Sequence, residues 1–154
     1  MTGREVVLLS VRSPHVERLL DGSKIVEFRR QRWSVPDGSV AVLYGAGQNR
    51  AIVGSVVVSR TEVASVDWMW RKHGKGSGLR FAEYKKYFAG ADKAVAILVE
   101  RARALDTPLT LRELRRRHPE FHVPQSYRRM PANELSVVLN GESRQLLGGC
   151  AGVT

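Results

Sequence analysis

Lys24-Ile25-Val26-Glu27-Phe28-Arg29-Arg30 changes the period of the chain. Before it, Val16, Leu19 and Leu20 recur at helical spacing. Ser13 is the candidate cap of that helix, Pro14 suits a first position that needs no amide partner, and Asp21-Gly22 ends it. From Val26 the period is two: Val26 and Phe28 share one face of a strand, and Glu27 and Arg29 share the other. A short helix thus hands over to a short amphipathic strand.

Working outward, Val6–Val11 is an apolar run that reads as a buried strand. Gln31–Ser39 is a polar loop with Pro36-Asp37-Gly38 as turn chemistry. Val40–Tyr44 and Ala51–Ser59 read as strands joined by the Gly45–Arg50 turn. Asp67–His73 reads as a short aromatic helix, followed by a glycine-rich loop over 74–78. Leu79–Phe88 reads as a helix with Phe81, Tyr84 and Phe88 on one stripe. Ala94–Val99 is another strand, extending toward Ala104. Thr110-Leu111-Arg112-Glu113 is a capping box, and the helix it opens ends before Pro119. Pro124–Met130 is extended, and past Pro131 the apolar residues show little pattern. Helices stand between short strands without regular crossovers, so the expected class is α+β, a small mixed or closed sheet with peripheral helices.

The chain has 154 residues, which suits one domain. Hydrophobic residues make up 43% and charged residues 26%, usage that fits a folded core rather than disorder. No apolar run reaches the ~20 residues of a membrane span, and the start lacks the pattern of a secretory signal. The single cysteine, Cys150, has no internal partner. A cytoplasmic protein without membrane contact is expected. The formal net charge of +10 favours a polyanionic partner, nucleic acid first.

His15, His73, His118 and His122 are scattered and no cysteine pair exists, so no metal is expected. Gly45-Ala46-Gly47 precedes a strand and reads as a hairpin turn rather than a dinucleotide fingerprint. The 74–78 loop precedes a helix, so its amides either receive a phosphate or form a plain surface linker. Lys24, Arg29, Arg30 and Arg32 form a basic segment around Glu27. A carboxylate at Glu27 would fix the direction of a guanidinium, while a charged edge strand protected from aggregation fits equally. Arg112, Arg115, Arg116 and Arg117, with Arg128 and Arg129, form a second cluster suited to phosphate oxygens or to solubility. Trp68, Trp70, Phe81, Tyr84 and Tyr87 are core candidates first and base-stacking candidates second. Lys24 and Glu27 are the candidate acid–base pair. On a regular strand a spacing of three puts them on opposite faces, so that role requires a bulge.

The chain resembles the ASCH domain, a branch of the PUA-like superfamily. The resemblance rests on an ordered set of matches. They begin with Leu9-Ser10-Val11-Arg12-Ser13-Pro14 and the Gly-x-Lys-x-x-Glu-x-Arg signature at Gly22–Arg29. Val53-Gly54, the Trp68–Trp70 helix, the Phe81–Phe88 helix with Gly90, and Ala94-Val95-Ala96-Ile97 follow in order. Pro108-Leu109 and the closing Pro124-Gln125-Ser126-Tyr127 complete it.

It implies an ASCH/PUA-like domain over 5–130, with 131–154 as a C-terminal extension, partly disordered. The implied fold is a small β-barrel with peripheral α-helices and a cleft on one side. The implied function is nucleic-acid binding: RNA, another single-stranded nucleic acid or a nucleotide held in a basic cleft, in RNA processing or gene regulation, without a cofactor. Lys24 and Arg29 line the cleft, and Glu27 orients Arg29 or accepts from a base edge. Arg12 joins them, with Gln125, Ser126 and Tyr127 nearby. Arg30, Arg32 and the 112–117 helix, with Arg115 and Arg116, grip the backbone. Binding is favoured over catalysis. The alternative is a ribonuclease or a hydrolase of modified nucleosides using the same cleft. An amidohydrolase branch of the family matches at Lys24. It carries threonine at the position of Glu27 and a carboxylate near Ser77, so two of its three proposed catalytic positions differ here.

Overall fold

The structure, a computed structural model, describes residues 3–148. Its centre is a six-stranded sheet in the order β2-β5-β4-β3-β1-β6. The strands are β1 (Val6–Arg12), β2 (Val26–Arg29), β3 (Val40–Ala46), β4 (Ala51–Ser65), β5 (Lys93–Thr110) and β6 (Tyr127–Arg129). β1 and β3 are parallel, and the other pairs are antiparallel. β4 and β5 slip register at three places, and such bulges bend a strand and increase its twist. The sheet curls into a half-barrel with helices around it, the α+β class expected.

Both faces of the central strands are covered, which is why they read as continuous apolar runs. On β1, Val6 and Leu8 join one core cluster, while Val7, Leu9 and Val11 join another. Helix α1 (His15–Asp21) packs Val16 and Leu19 into the second of these. A third cluster lies under α2 (Val66–His73) and α3 (Phe81–Tyr87), where Val26 and Phe28 meet Met69, Tyr84 and Phe88. Gly54 is required at its place: a Cβ there would lie 2.3 Å from the Arg103 carbonyl oxygen and 2.5 Å from Leu20 Cδ2.

Several local expectations are corrected. Ser13 does not cap α1; its hydroxyl donates to Glu17 Oε1 at 2.6 Å. The 74–78 segment is not a free loop. Gly74–Ser77 forms a 3₁₀ turn whose Gly76 carbonyl accepts from Ile25 N at 2.8 Å. On α3, Tyr84 and Phe88 are buried but Phe81 is half exposed and lies against Trp70. At α4 (Leu111–Arg117) only half of the capping box forms. The Thr110 hydroxyl accepts from Glu113 N, and the Glu113 carboxylate turns to Arg116 and Arg117 instead.

The largest correction concerns the segment after Met130. It forms α5 (Ala132–Val138) and α6 (Ser143–Leu147), which bury Leu135, Val138, Leu139 and Leu146 against β1, β3 and α4. Two helices of seven and five residues bury too few side chains each to show a sustained period in sequence. Residues 149–154, including Cys150 and the end of the extension expected to be partly disordered, lie outside the described residues.

Candidate functional site

Lys24 is placed by the end of α1. Gly22 adopts the left-handed conformation (φ 84°), and the chain turns back so that Lys24 N donates to Arg18 O at 3.0 Å. Lys24 therefore precedes β2 rather than lying on it, and strand parity does not govern its direction. Its ammonium, 2% exposed, donates to the Ser77 carbonyl and lies 3.4 Å from Glu27 Oε1. No bulge is needed for Lys24 and Glu27 to face one cavity. Burial lowers the Lys24 pKa, and the Glu27 carboxylate only partly restores it.

Glu27 and Arg29 point away from the α2–α3 cluster, as the period of two requires. Arg29 Nη2 lies 2.7 Å from Glu27 Oε2 and donates to the Ser10 carbonyl at 2.9 Å. Arg29 Nη1 reaches Ser126 Oγ at 3.4 Å. β2 is one edge of the sheet and β6 the other. The Arg29 side chain spans the gap they leave, toward β1 and the segment that leads into β6.

Beside this gap lies a cavity of about 700 Å³. Ser10 and Arg12 come from the end of β1, and His15 from the start of α1. Lys24, Glu27, Phe28 and Arg29 form the β2 side. Leu79, Glu83 and Tyr87 come from α3 and its approach, and Val123, Pro124, Gln125 and Ser126 from the opposite segment. The lining holds three cations (Arg12, Lys24, Arg29) against two carboxylates (Glu27, Glu83). Two of the cations are spent largely on Glu27 and on protein carbonyls. The chain carries +10 overall, but this cavity is close to charge-balanced.

Other candidate residues lie elsewhere. Arg30 Nη1 donates to the carbonyls of Tyr87 (2.9 Å) and Ala89 (3.2 Å), where it holds the end of α3. Arg32 is exposed and stands outside the cavity lining. Tyr127 packs on Trp33, and its hydroxyl accepts from Ser34 N, so it supports the wall without lining it. Arg115 Nε donates to the Phe121 carbonyl, and Arg116 pairs with Glu113. Arg117 bridges Glu113 and Glu142, and Arg128 pairs with Glu134. The second arginine cluster is therefore mostly neutralised within the fold. Ser77 is fully buried with its hydroxyl on the Gly74 carbonyl, so no carboxylate stands at that position.

A protein of Zymomonas mobilis named ASCH domain-containing ribonuclease is 27% identical over 124 residues, covering 80% of this chain and 82% of that protein. The crystal structure of ASCH from Zymomonas mobilis superposes with a TM-score of 0.85 at 22% identity, over 90% of this chain and 96% of that one. The chain folds as an ASCH domain. Human THYN1, solved in complex with 5-methylcytosine containing DNA, superposes with a TM-score of 0.55 at 12% identity, over 96% of this chain and 99% of that one. No family profile matches the chain.

In this ASCH domain, several members of the wall, His15, Glu83 and Val123 among them, lie outside the candidate set that the sequence pattern marks. His15, one of four scattered histidines in the sequence, lines the cavity with its Nδ1 buried and without a partner among the described residues. Burial lowers its pKa, and the Lys24 ammonium lowers it further. Glu83 and Tyr87 are four apart on α3 and so share a face beside the Tyr84–Phe88 stripe. That offset brings Tyr87, a base-stacking candidate from the sequence, to the cavity. Nothing in the local pattern marked Val123. Among the described residues, no group of three or more His, Cys, Asp or Glu side chains could hold a metal ion.

Proposed function

We propose that this ASCH domain binds single-stranded nucleic acid, RNA foremost, or a free nucleotide, by taking a base into the cavity and leaving the phosphates at its rim. The observation that carries this reading is the charge balance of the cavity. A phosphate moved to the floor would shed its water without a free cation to meet it, which is costly. An uncharged base meets apolar Phe28, Leu79 and Val123, together with the polar atoms of Glu27, Arg29, Gln125 and Ser126. Glu27 accepts from a base amino or imino group, while Arg29 and Gln125 donate to a base carbonyl. Arg12 and Arg32, both exposed, reach the phosphates. Readout of an unstacked base from a single strand is a common mode for RNA. The reading goes with a cytoplasmic protein, and among the described residues no helix is long and apolar enough to cross a membrane.

The test is binding of RNA and DNA oligonucleotides at two salt concentrations, with the wild type and the Lys24→Ala/Arg29→Ala double variant. The reading expects affinity that falls with salt, since each phosphate contact releases counterions, and a large loss in the double variant. Absence of binding at low salt, or a double variant that binds like wild type, overturns it.

A second reading, cleavage of RNA in the same cleft, is favoured by the name of the Zymomonas relative. Attack of a 2′-hydroxyl on the adjacent phosphorus forms a 2′,3′-cyclic phosphate and breaks the bond to the 5′-oxygen, so it needs an acceptor for the hydroxyl proton, a donor for the departing oxygen and cations near the phosphate. His15, Lys24 and Arg12 supply those groups around the cavity. Labelled RNA and acetylated cytidine incubated with wild type and Lys24→Ala decide it: intact substrates remove an enzyme role, and lysine-dependent turnover establishes one.

A further inference from the structure

Five aromatic side chains on α2 and α3 are candidates for stacking on a base, and four of them are engaged elsewhere. Tyr84 is buried with its hydroxyl on the Val66 carbonyl. Trp70 packs between Phe81 and Tyr84, with ring centroids 5.4 and 4.9 Å away. The ring of Trp68 carries the Lys72 ammonium, and that of Phe81 the Lys85 ammonium. Tyr87 differs from all four. It lines the cavity while its residue surface is 40% exposed.

The ring is held rather than loose. Phe88 meets it in a T-shaped contact at 4.8 Å and 83°. The Tyr87 carbonyl accepts from Arg30 Nη1, which anchors the end of α3 at this residue. Arg30 is itself the residue after β2, so the position of Tyr87 is tied to the strand that carries Glu27 and Arg29. From the segment before β6, Val123 and Pro124 line the same cavity with apolar surface. The cavity thus offers an anchored aromatic ring and an apolar wall from two separate parts of the chain.

We infer that Tyr87 is the stacking wall for the bound base, so that the site selects ligands with an intact aromatic base and rejects the sugar phosphate alone. This inference rests on the reading that the cavity takes a base. A tyrosine has few rotatable bonds to freeze, and stacking tolerates any base because each has a π-face. Base identity is then left to the hydrogen-bonding groups of Glu27, Arg29 and Gln125.

The experiment titrates the full chain with the four nucleoside 5′-monophosphates and with ribose 5-phosphate by calorimetry. Wild type, Tyr87→Leu, Tyr87→Phe, Tyr87→Trp and Lys24→Ala/Arg29→Ala are compared, each with a thermal melt. Tyr87→Leu keeps apolar bulk without a ring. It is expected to weaken nucleotide binding by about tenfold, within the usual worth of a base stacked on an aromatic side chain. Tyr87→Phe and Tyr87→Trp are expected to stay close to wild type, and ribose 5-phosphate to bind weakly to all with no change in Tyr87→Leu. A folded Tyr87→Leu that binds nucleotides like wild type, while the double variant loses them, overturns the stacking role and leaves the cleft reading standing. Equal loss of nucleotide and ribose 5-phosphate also overturns it. Failure of wild type to bind any nucleotide overturns the inference together with the reading beneath it.

Discussion

The Arg29 guanidinium donates from β2 to the Ser10 carbonyl of β1 at 2.9 Å, across the gap where the sheet fails to close. The same Nη2 lies 2.7 Å from Glu27 Oε2, and Lys24 Nζ lies 3.4 Å from the other carboxylate oxygen. The cleft and its structural strap are one set of side chains. Glu27 is the anion shared by two buried cations. Its replacement by glutamine leaves both without a counter-charge, and breaking a buried pair from one side costs about 3–5 kcal/mol. Urea unfolding of Glu27→Gln at pH 7 checks this. A loss below about 1 kcal/mol, the size of an exposed pair, contradicts it.

The imidazole of His15 gives a pH signature. Its pKa is lowered from 6.5 in the folded state, first by burial and then by the Lys24 ammonium. Glu27 and Glu83 oppose the shift, and Arg18 adds to it. The unfolded chain therefore takes up this proton before the folded one, so stability falls as pH drops below about 6.5 and keeps falling until folded His15 also protonates. His15→Gln is expected to flatten that part of the slope. Urea midpoints between pH 7.5 and 5 for both proteins decide it, and parallel slopes would count against the assignment.

Gly54 is set against backbone as well as the Leu20 side chain. A methyl group there meets the Arg103 carbonyl oxygen at 2.3 Å. Gly54→Ala is expected to destabilise by about 1–3 kcal/mol, the usual range for overpacking, seen as a lowered Tm by circular dichroism. An unchanged Tm would mean that β4 and β5 separate at this point.

Helix α6 is expected to be part of the cooperative fold. Leu146 is fully buried, and its carbonyl accepts from the Ser55 hydroxyl of β4 at 2.6 Å. Leu146→Ala is expected to cost about 2–5 kcal/mol, with one unfolding transition by calorimetry. A near-neutral effect would show that the helix docks only loosely.

The fold class was legible because the apolar runs of β1 and β3 and the change of period at Val26 are properties of local sequence. The signature residues were legible too, but their contacts were not. Strand parity separated Lys24 from Glu27, whereas the left-handed turn at Gly22 starts β2 two residues after Lys24 and brings the two together. The arginine cluster of α4 looked like a phosphate surface, because Glu142, the partner of Arg117, lies 25 residues away in sequence. Cavity members such as His15, Glu83 and Val123 come from separate elements, and no local spacing announces a wall assembled by tertiary folding. The short helices after Met130 leave no local signature for a related reason: their apolar residues make sense only against the sheet they cover.

The central claim is that a base, not a phosphate, occupies the cavity beside Lys24, Glu27 and Arg29. A crystal structure of the protein soaked with a nucleoside 5′-monophosphate tests it most directly. The account predicts the base within the cavity against Tyr87, with polar contacts to Glu27 or Arg29 and the phosphate outside near Arg12. A phosphate seated on Lys24 and Arg29, or a nucleotide bound away from this cavity, would contradict it.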